Sequence, residues 1–174
     1  MAGQLIQVNR AYLSSPASSL AITGIDTDDV YMVTIKDLQP DTTNQVYPYM
    51  RFLESGTANT SANYDMAYKT LKSAVAFANY SLANNTAAVL LSEQIGTVTQ
   101  EKFNGIMYIY NANNSSEYTF YTLESTALDH NSNHLGSQGG AVLTVTSAVN
   151  GIDVILQGGA NIKAGCELVL YKVV

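Results

Sequence analysis

The chain reads as an all-β protein, a β-sandwich or barrel, on three observations. The C-terminal third holds three short apolar runs, residues 140–146 (GAVLTVT), 152–157 (IDVILQ) and 167–174 (ELVLYKVV), separated by Asn150-Gly151, Gly158-Gly159 and Ala164-Gly165. Asn-Gly tolerates positive φ at both central positions of the two-residue turn whose twist suits paired strands. Residues 30–36 alternate, with Tyr31, Val33 and Ile35 on one face and Met32 and Thr34 on the other. Twelve Tyr and four Phe with no Trp supply aromatic side chains that pack well against cross-strand neighbours. No βαβ rhythm and no solenoid period accompanies them.

The elements follow in order. Residues 5–12 form a mixed extended segment closed by Ser14-Ser15-Pro16, and residues 19–25 a first short strand; together residues 1–25 are expected as an extended arm plus that strand. Residues 26–174 are expected as one sandwich domain, a size that buries a substantial core. After the acidic turn 26–29 and strand 30–36, Gln39-Pro40-Asp41 turns the chain into strand 46–54, where Pro48 sits near the start and its missing N–H is tolerated. Residues 55–63 are a polar loop. The stretch 64–83 is ambiguous. Ala67, Leu71, Ala74, Val75, Ala78 and Leu82 fall on one helical face with Asn63 as a cap, so periodicity alone reads a helix there. Strands resume at 87–92, 103–111 and 117–124, the last two joined by a five-residue hairpin loop at 112–116. Residues 126–138 are expected as a long polar loop.

Composition narrows the function. Charged residues are only 13% of the chain, about half the usual share of roughly 25%. The polar surface is therefore built from Ser, Thr, Asn and Tyr. A net charge of −6, with the eight Lys and Arg scattered, supplies no basic stripe to follow phosphates, so nucleic acid is not an expected partner. No apolar stretch of 18 residues, no basic-then-apolar leader and no Gly after Met1 point to a membrane. The single cysteine, Cys166, has no partner for an intrachain disulfide.

Candidate chemistry is sparse. His130 and His134 have a spacing that suits two zinc ligands, with Asp129 adjacent, but a third donor is missing and Asn131-Ser132-Asn133 disfavours an aligning helix. Asp26, Asp28 and Asp29 resemble the start of a calcium loop, yet Val30 occupies the fifth position of the EF-hand pattern. A solvated loop and a charged turn are the favoured readings of these two clusters. Gly136-Ser137-Gln138-Gly139-Gly140 precedes a strand rather than a helix, which argues for a flexible approach to that strand rather than a phosphate cradle. Leu135 stands where a nucleophile elbow around Ser137 needs glycine. Glu117 and Glu124, seven apart on one strand, point to opposite faces and make no glycosidase pair. Cys166 reads as a small buried residue. The Asn-x-Ser/Thr triplets at Asn59, Asn79, Asn84, Asn113 and Asn114 read as loop chemistry. Tyr108, Tyr110, Tyr118 and Tyr121 read first as half-buried strand aromatics, and otherwise as a sugar-stacking face. No catalytic residue, metal or cofactor is expected.

The runs YMRFLESGT (49–57) with YDMAY (64–68), IG (95–96) with EKFNGIMYIY (101–110), SEYTF (116–120), GSQGG (136–140), VNG (149–151) and 158–170 running into Leu170-Tyr171 resemble a jelly-roll-type virion module of tailed bacteriophages, over roughly residues 30–174. The resemblance implies an all-β, antiparallel, jelly-roll-like β-sandwich used in head decoration, neck, tail or fibre proteins. It also implies that 64–71 is strand and 72–86 loop. Because the chain is nearly the module alone, the expected function is a non-enzymatic virion structural protein, foremost a capsid decoration (cement) subunit. A tail, collar or fibre component and a carbohydrate-binding module are the alternatives. The expected partners are other copies of itself (a trimer foremost), the major capsid protein or another virion protein, and a host surface glycan.

Overall fold

A computed structural model describes residues 3–91 and 93–174. It contains thirteen strands among those residues: β1 (Leu5–Tyr12), β2 (Ser19–Thr23), β3 (Tyr31–Leu38), β4 (Pro48–Glu54), β5 (Thr57–Ala58), β6 (Tyr64–Lys72), β7 (Val75–Asn85), β8 (Ala88–Val89), β9 (Phe103–Tyr110), β10 (Tyr118–Leu128), β11 (His134–Thr146), β12 (Val149–Leu156) and β13 (Glu167–Val173). One 3-10 turn at Gln157–Gly159 is the sole helical element among them. The expected antiparallel sandwich is what the chain forms. An eight-stranded sheet in the order β1-β13-β3-β9-β10-β11-β6-β7 faces a smaller sheet, β2-β12-β4-β5, with β8 also paired to β4.

The core lies between the sheets and follows the period of two that strands impose. Tyr31, Val33 and Ile35 of β3 face inward as their alternation predicts, beside Met107, Ile109, Tyr121, Leu123 and Leu143 from the same sheet. Met50, Phe52, Ile152, Val154 and Leu156 meet them from the smaller sheet. Phe52 stacks on Tyr64 at 6.2 Å between ring centres and meets the edge of Tyr121 at 6.2 Å. The Tyr64 hydroxyl accepts the Phe52 amide at 2.9 Å and donates to the Asn59 carbonyl at 3.2 Å, joining the two sheets through one side chain.

Several expectations are corrected. Residues 64–71 are the strand expected, within β6, and not a helix, but 72–86 is not a loop: β6 and β7 are a hairpin turning at Ser73-Ala74, with Met66 opposite Leu82 and Tyr68 opposite Tyr80. The helical face had counted Ala67 and Leu71, which point outward, and overlooked Tyr64 and Tyr68, which alternate with them into the core. Asn63 caps no helix; its carbonyl accepts from the Thr144 amide and hydroxyl. The loop expected over 126–138 shrinks to residues 129–133, because β10 and β11 pair through Thr126–Gly136 and Leu128–His134. Gly136 to Gly140 therefore lie within a strand. The three C-terminal runs are strands, but they do not pair with one another: β11 lies between β10 and β6, β12 between β2 and β4, and β13 between β1 and β3. Asn150-Gly151 lies inside β12 rather than in a turn. A Cβ on Gly151 would sit 2.2 Å from the Ile22 carbonyl oxygen, so the residue is glycine for close strand approach. Gly158 and Gly159, at φ of 68° and 74°, do make a turn.

Two expectations partly leave the described residues. The strand expected at 87–92 is regular only at β8, and Ser92 lies outside the described residues. Met1 and Ala2 of the expected arm do as well. The rest of that arm is anchored, since β1 pairs with β13 from Leu5–Val173 to Tyr12–Glu167.

Candidate functional site

The hairpin of β9 and β10, extended by β11, presents the feature that most resembles a site. Ladder register sets three rows of outward side chains: Tyr110–Phe120–Val142, Tyr108–Thr122–Gly140 and Ile106–Glu124–Gln138. Ile106, Tyr108, Tyr110, Tyr118 and Phe120 are 36–45% exposed, high for large apolar residues within a sheet. The middle row ends in a residue with no side chain. A Cβ on Gly140 would meet the Tyr121 carbonyl oxygen at 2.2 Å, so strand packing excludes one there. Beside it, Tyr108, Ile106, Thr122, Glu124, Gln138 and Gly139 line a groove of about 440 Å³. Gln138 Nε2 donates to Glu124 Oε1 at 2.9 Å across its end.

Three of the four tyrosines singled out from sequence, Tyr108, Tyr110 and Tyr118, share this face. Tyr121 does not. It is buried on the opposite side of β10, its hydroxyl bonded to that of Tyr68. Burial pushes both phenols well above the ordinary tyrosine range. Parity within β10 carries this distinction, since 118, 120, 122 and 124 share one face and 121 the other. The same parity marks Phe120 and Ile106, which reading the tyrosines alone had missed.

The remaining candidates are held in structural bonds. Asp26 accepts from the Tyr31 hydroxyl at 3.0 Å, Asp28 from Asn114 at 2.9 Å, and Asp29 from Thr27 and Lys172, both at 2.6 Å. The Lys172 and Thr27 hydrogen bonds hold the Asp29 carboxyl below its usual range. His130 and His134 are not brought to a common centre: His134 bonds Thr126 at 3.0 Å, and His130 lies against Asn131 and the Gln94 carbonyl. Among the described residues no cluster of three or more His, Cys, Asp or Glu gathers to hold a metal ion. Asp129, noted in the sequence only as a neighbour of His130, organises the turn. Its fully buried carboxylate accepts the Asn131 and Asn133 amides at 2.9 and 2.8 Å and the Lys72 ammonium at 2.9 Å. Burial alone would raise its pKa, but Lys72 and the Asn133 and Asn131 donors hold it at about 2. Cys166 is buried, and burial pushes its thiol to about 12, which leaves no thiolate nucleophile near neutral pH. Glu117 lies exposed ahead of β10, while Glu124 is bonded to Gln138.

No family model matches the chain, and no curated protein matches it.

Proposed function

We propose that the protein is a non-enzymatic virion structural subunit of a tailed bacteriophage, most simply a capsid decoration subunit that acts through contact. The observation that carries this reading is the outward face of the eight-stranded sheet. Ile106, Tyr108, Tyr110, Tyr118 and Phe120 are exposed together there, and the rows they form contain one ionisable carboxylate, Glu124, already hydrogen-bonded. Contiguous exposed apolar surface with a polar rim marks an interaction surface more often than an inert one. Asp26, Asp28, Asp29, Asp129, His130 and His134 are held by hydrogen bonds in turns and ladders. The phage assignment rests on the strand-and-turn resemblance, and the face suits a neighbouring virion protein such as the capsid subunit. Binding the assembled shell alone would stabilise that shell by mass action.

The test is incorporation into particles. Phe120→Asp places an unpaired charge at the centre of the face on an already exposed position, so the fold is retained while incorporation falls at least tenfold. Unchanged incorporation of a folded Phe120→Asp protein rejects the reading.

The carbohydrate-binding reading draws on a separate observation, the groove in which Tyr108 stands beside the Glu124–Gln138 pair. An aromatic face with planar carboxylate and carboxamide groups suits a sugar ring and its hydroxyls. Glycan-array binding that disappears with Tyr108→Ala, Tyr110→Ala or Tyr118→Ala would establish it, and a blank array on folded protein removes it.

A further inference from the structure

We propose that the subunit assembles head to tail, the β7 edge of one copy pairing antiparallel with the β1 edge of the next, and closes into a cyclic ring. This rests on the structural-subunit reading and names a second copy of the chain as the partner.

Strand direction supplies the first argument. Every neighbouring pair in the eight-stranded sheet is antiparallel. With an even number of strands, the two ends, β1 and β7, therefore run in opposite directions. Rotation about an axis parallel to the strands preserves their direction. A copy generated that way brings its β1 alongside β7 with the alternation unbroken, and repeated rotation closes a ring. An odd-numbered sheet would have brought parallel strands together.

The second argument is that neither edge is guarded by lysine or proline, although the β1–β13 register shifts between Gln7 and Asn9 and the β6–β7 register shifts near both ends. Edge strands of solitary proteins are commonly blunted by Lys, Pro, inward charge or a covering loop, because their free N–H and C=O groups are templates for another chain. β7, VAFANYSLANN, contains no charged residue and no proline. β1, LIQVNRAY, contains one charge, Arg10, and that is taken up by Glu167 of the adjacent β13 at 2.9 Å through Nε.

Both end strands, thirdly, overhang the smaller sheet. Along β1 every side chain but Ala11 is exposed, with Leu5, Ile6 and Tyr12 each at half or more. From residue 77 to 84 of β7 only Tyr80 is partly covered, and Phe77 is 68% exposed. Apolar side chains on strands that no second layer covers are the surface another copy would shield. Asn9 ties β1 to the Thr23 carbonyl at 2.8 Å and Val8 packs beside Gly24, which leaves Leu5 to Gln7 open. Pairing β7 with β7 across a two-fold axis is the competing geometry, but it leaves β1 bare in every copy. Head-to-tail pairing covers both edges with one interface.

The test begins with the mass of the full chain by light scattering at tens of micromolar. The expected value is a multiple of 18.7 kDa, about 56 kDa for a ring of three, reduced to one copy by Ser81→Lys in β7 with an unchanged circular dichroism spectrum. Two variants, Ile6→Cys and Ser81→Cys, then report the geometry with a flexible bis-maleimide; Cys166 is buried and stays silent. Cross-linking in the mixture but in neither variant alone supports the ring. A monomeric wild-type protein, or cross-linking of Ser81→Cys by itself, overturns it. A monomer that still locates to particles rejects only the ring, whereas a ring absent from particles rejects only the virion role.

Discussion

Tyr64 offers the sharpest test of how the two sheets are held together. β4 pairs with β8 at Tyr49 and Met50 and with β5 at Leu53 and Glu54, which leaves a gap at Arg51 and Phe52. The Tyr64 hydroxyl fills that gap, accepting the Phe52 amide at 2.9 Å and donating to Asn59 at 3.2 Å. It does for one rung what a missing strand would do. Tyr64→Phe keeps the ring stacked on Phe52 and removes only this oxygen. The cost of an unsatisfied buried amide is about 1–3 kcal/mol. Taking about 2 kcal/mol and a urea slope of about 2 kcal/mol/M, the midpoint should fall by about 1 M with the slope unchanged. Tyr64→Leu should cost roughly 0.5–1.5 kcal/mol more through the lost ring contact. Urea unfolding followed by circular dichroism measures both. A midpoint shift under about 0.2 M for Tyr64→Phe would show that the hydroxyl is not a structural link.

Three further outcomes are expected. Burial first, outweighing the Phe52 hydrogen bond, raises the Tyr64 phenol to about 12, and burial raises Tyr68 and Tyr121 too. The unfolded chain ionises near 10, so this stability is complete below pH 10 and drains as pH rises from 10 to 12, at about 1.4 kcal/mol per unit for each fully coupled tyrosine; alkaline unfolding should be shallower in Tyr64→Phe, and identical curves would contradict the assignment. Asp129 runs the other way: its depressed carboxyl contributes stability above about pH 4 that is lost as pH falls toward 2. Asp129→Asn should cost about 2 kcal/mol at neutral pH and flatten the acid limb, read by thermal melts across pH 2–7. Gly140→Ala should cost about 1–3 kcal/mol because its Cβ meets backbone that cannot yield, against about 1 kcal/mol for Gly158→Ala, which is strained only by its φ of 68°. Comparable melts for the two would argue against close approach in β11.

The sandwich was legible where alternation and turn residues agreed, as in β3, and where a short apolar run stood after a glycine turn, as in β13. It was misread where one residue type serves two purposes. Asn150-Gly151 has the composition of a hairpin turn, but its glycine is needed to admit the Ile22 carbonyl, a long-range contact with no local signature. Residues 64–85 carry alanines at helical spacing that mask the alternation of Tyr64, Met66 and Tyr68 in β6, and over 77–84 the edge strand β7 is exposed on both faces but for Tyr80, so no burial pattern disciplines the sequence there. The polar run 129–133 blurred into its flanking strands because Thr126, His134 and Gln138 lie on a solvent face. The outward aromatic face was partly readable, since parity separates Tyr118 from Tyr121. The Glu124–Gln138 pair depends on ladder register between β10 and β11, which no single segment encodes.

Whether this surface exists for contact is decided most directly by electron cryomicroscopy of purified particles at side-chain resolution. Tyr108, Tyr110 and Phe120 should lie against a neighbouring virion protein, shielded from solvent. Particles that lack the chain, or that carry it with this face open to water, would contradict the account.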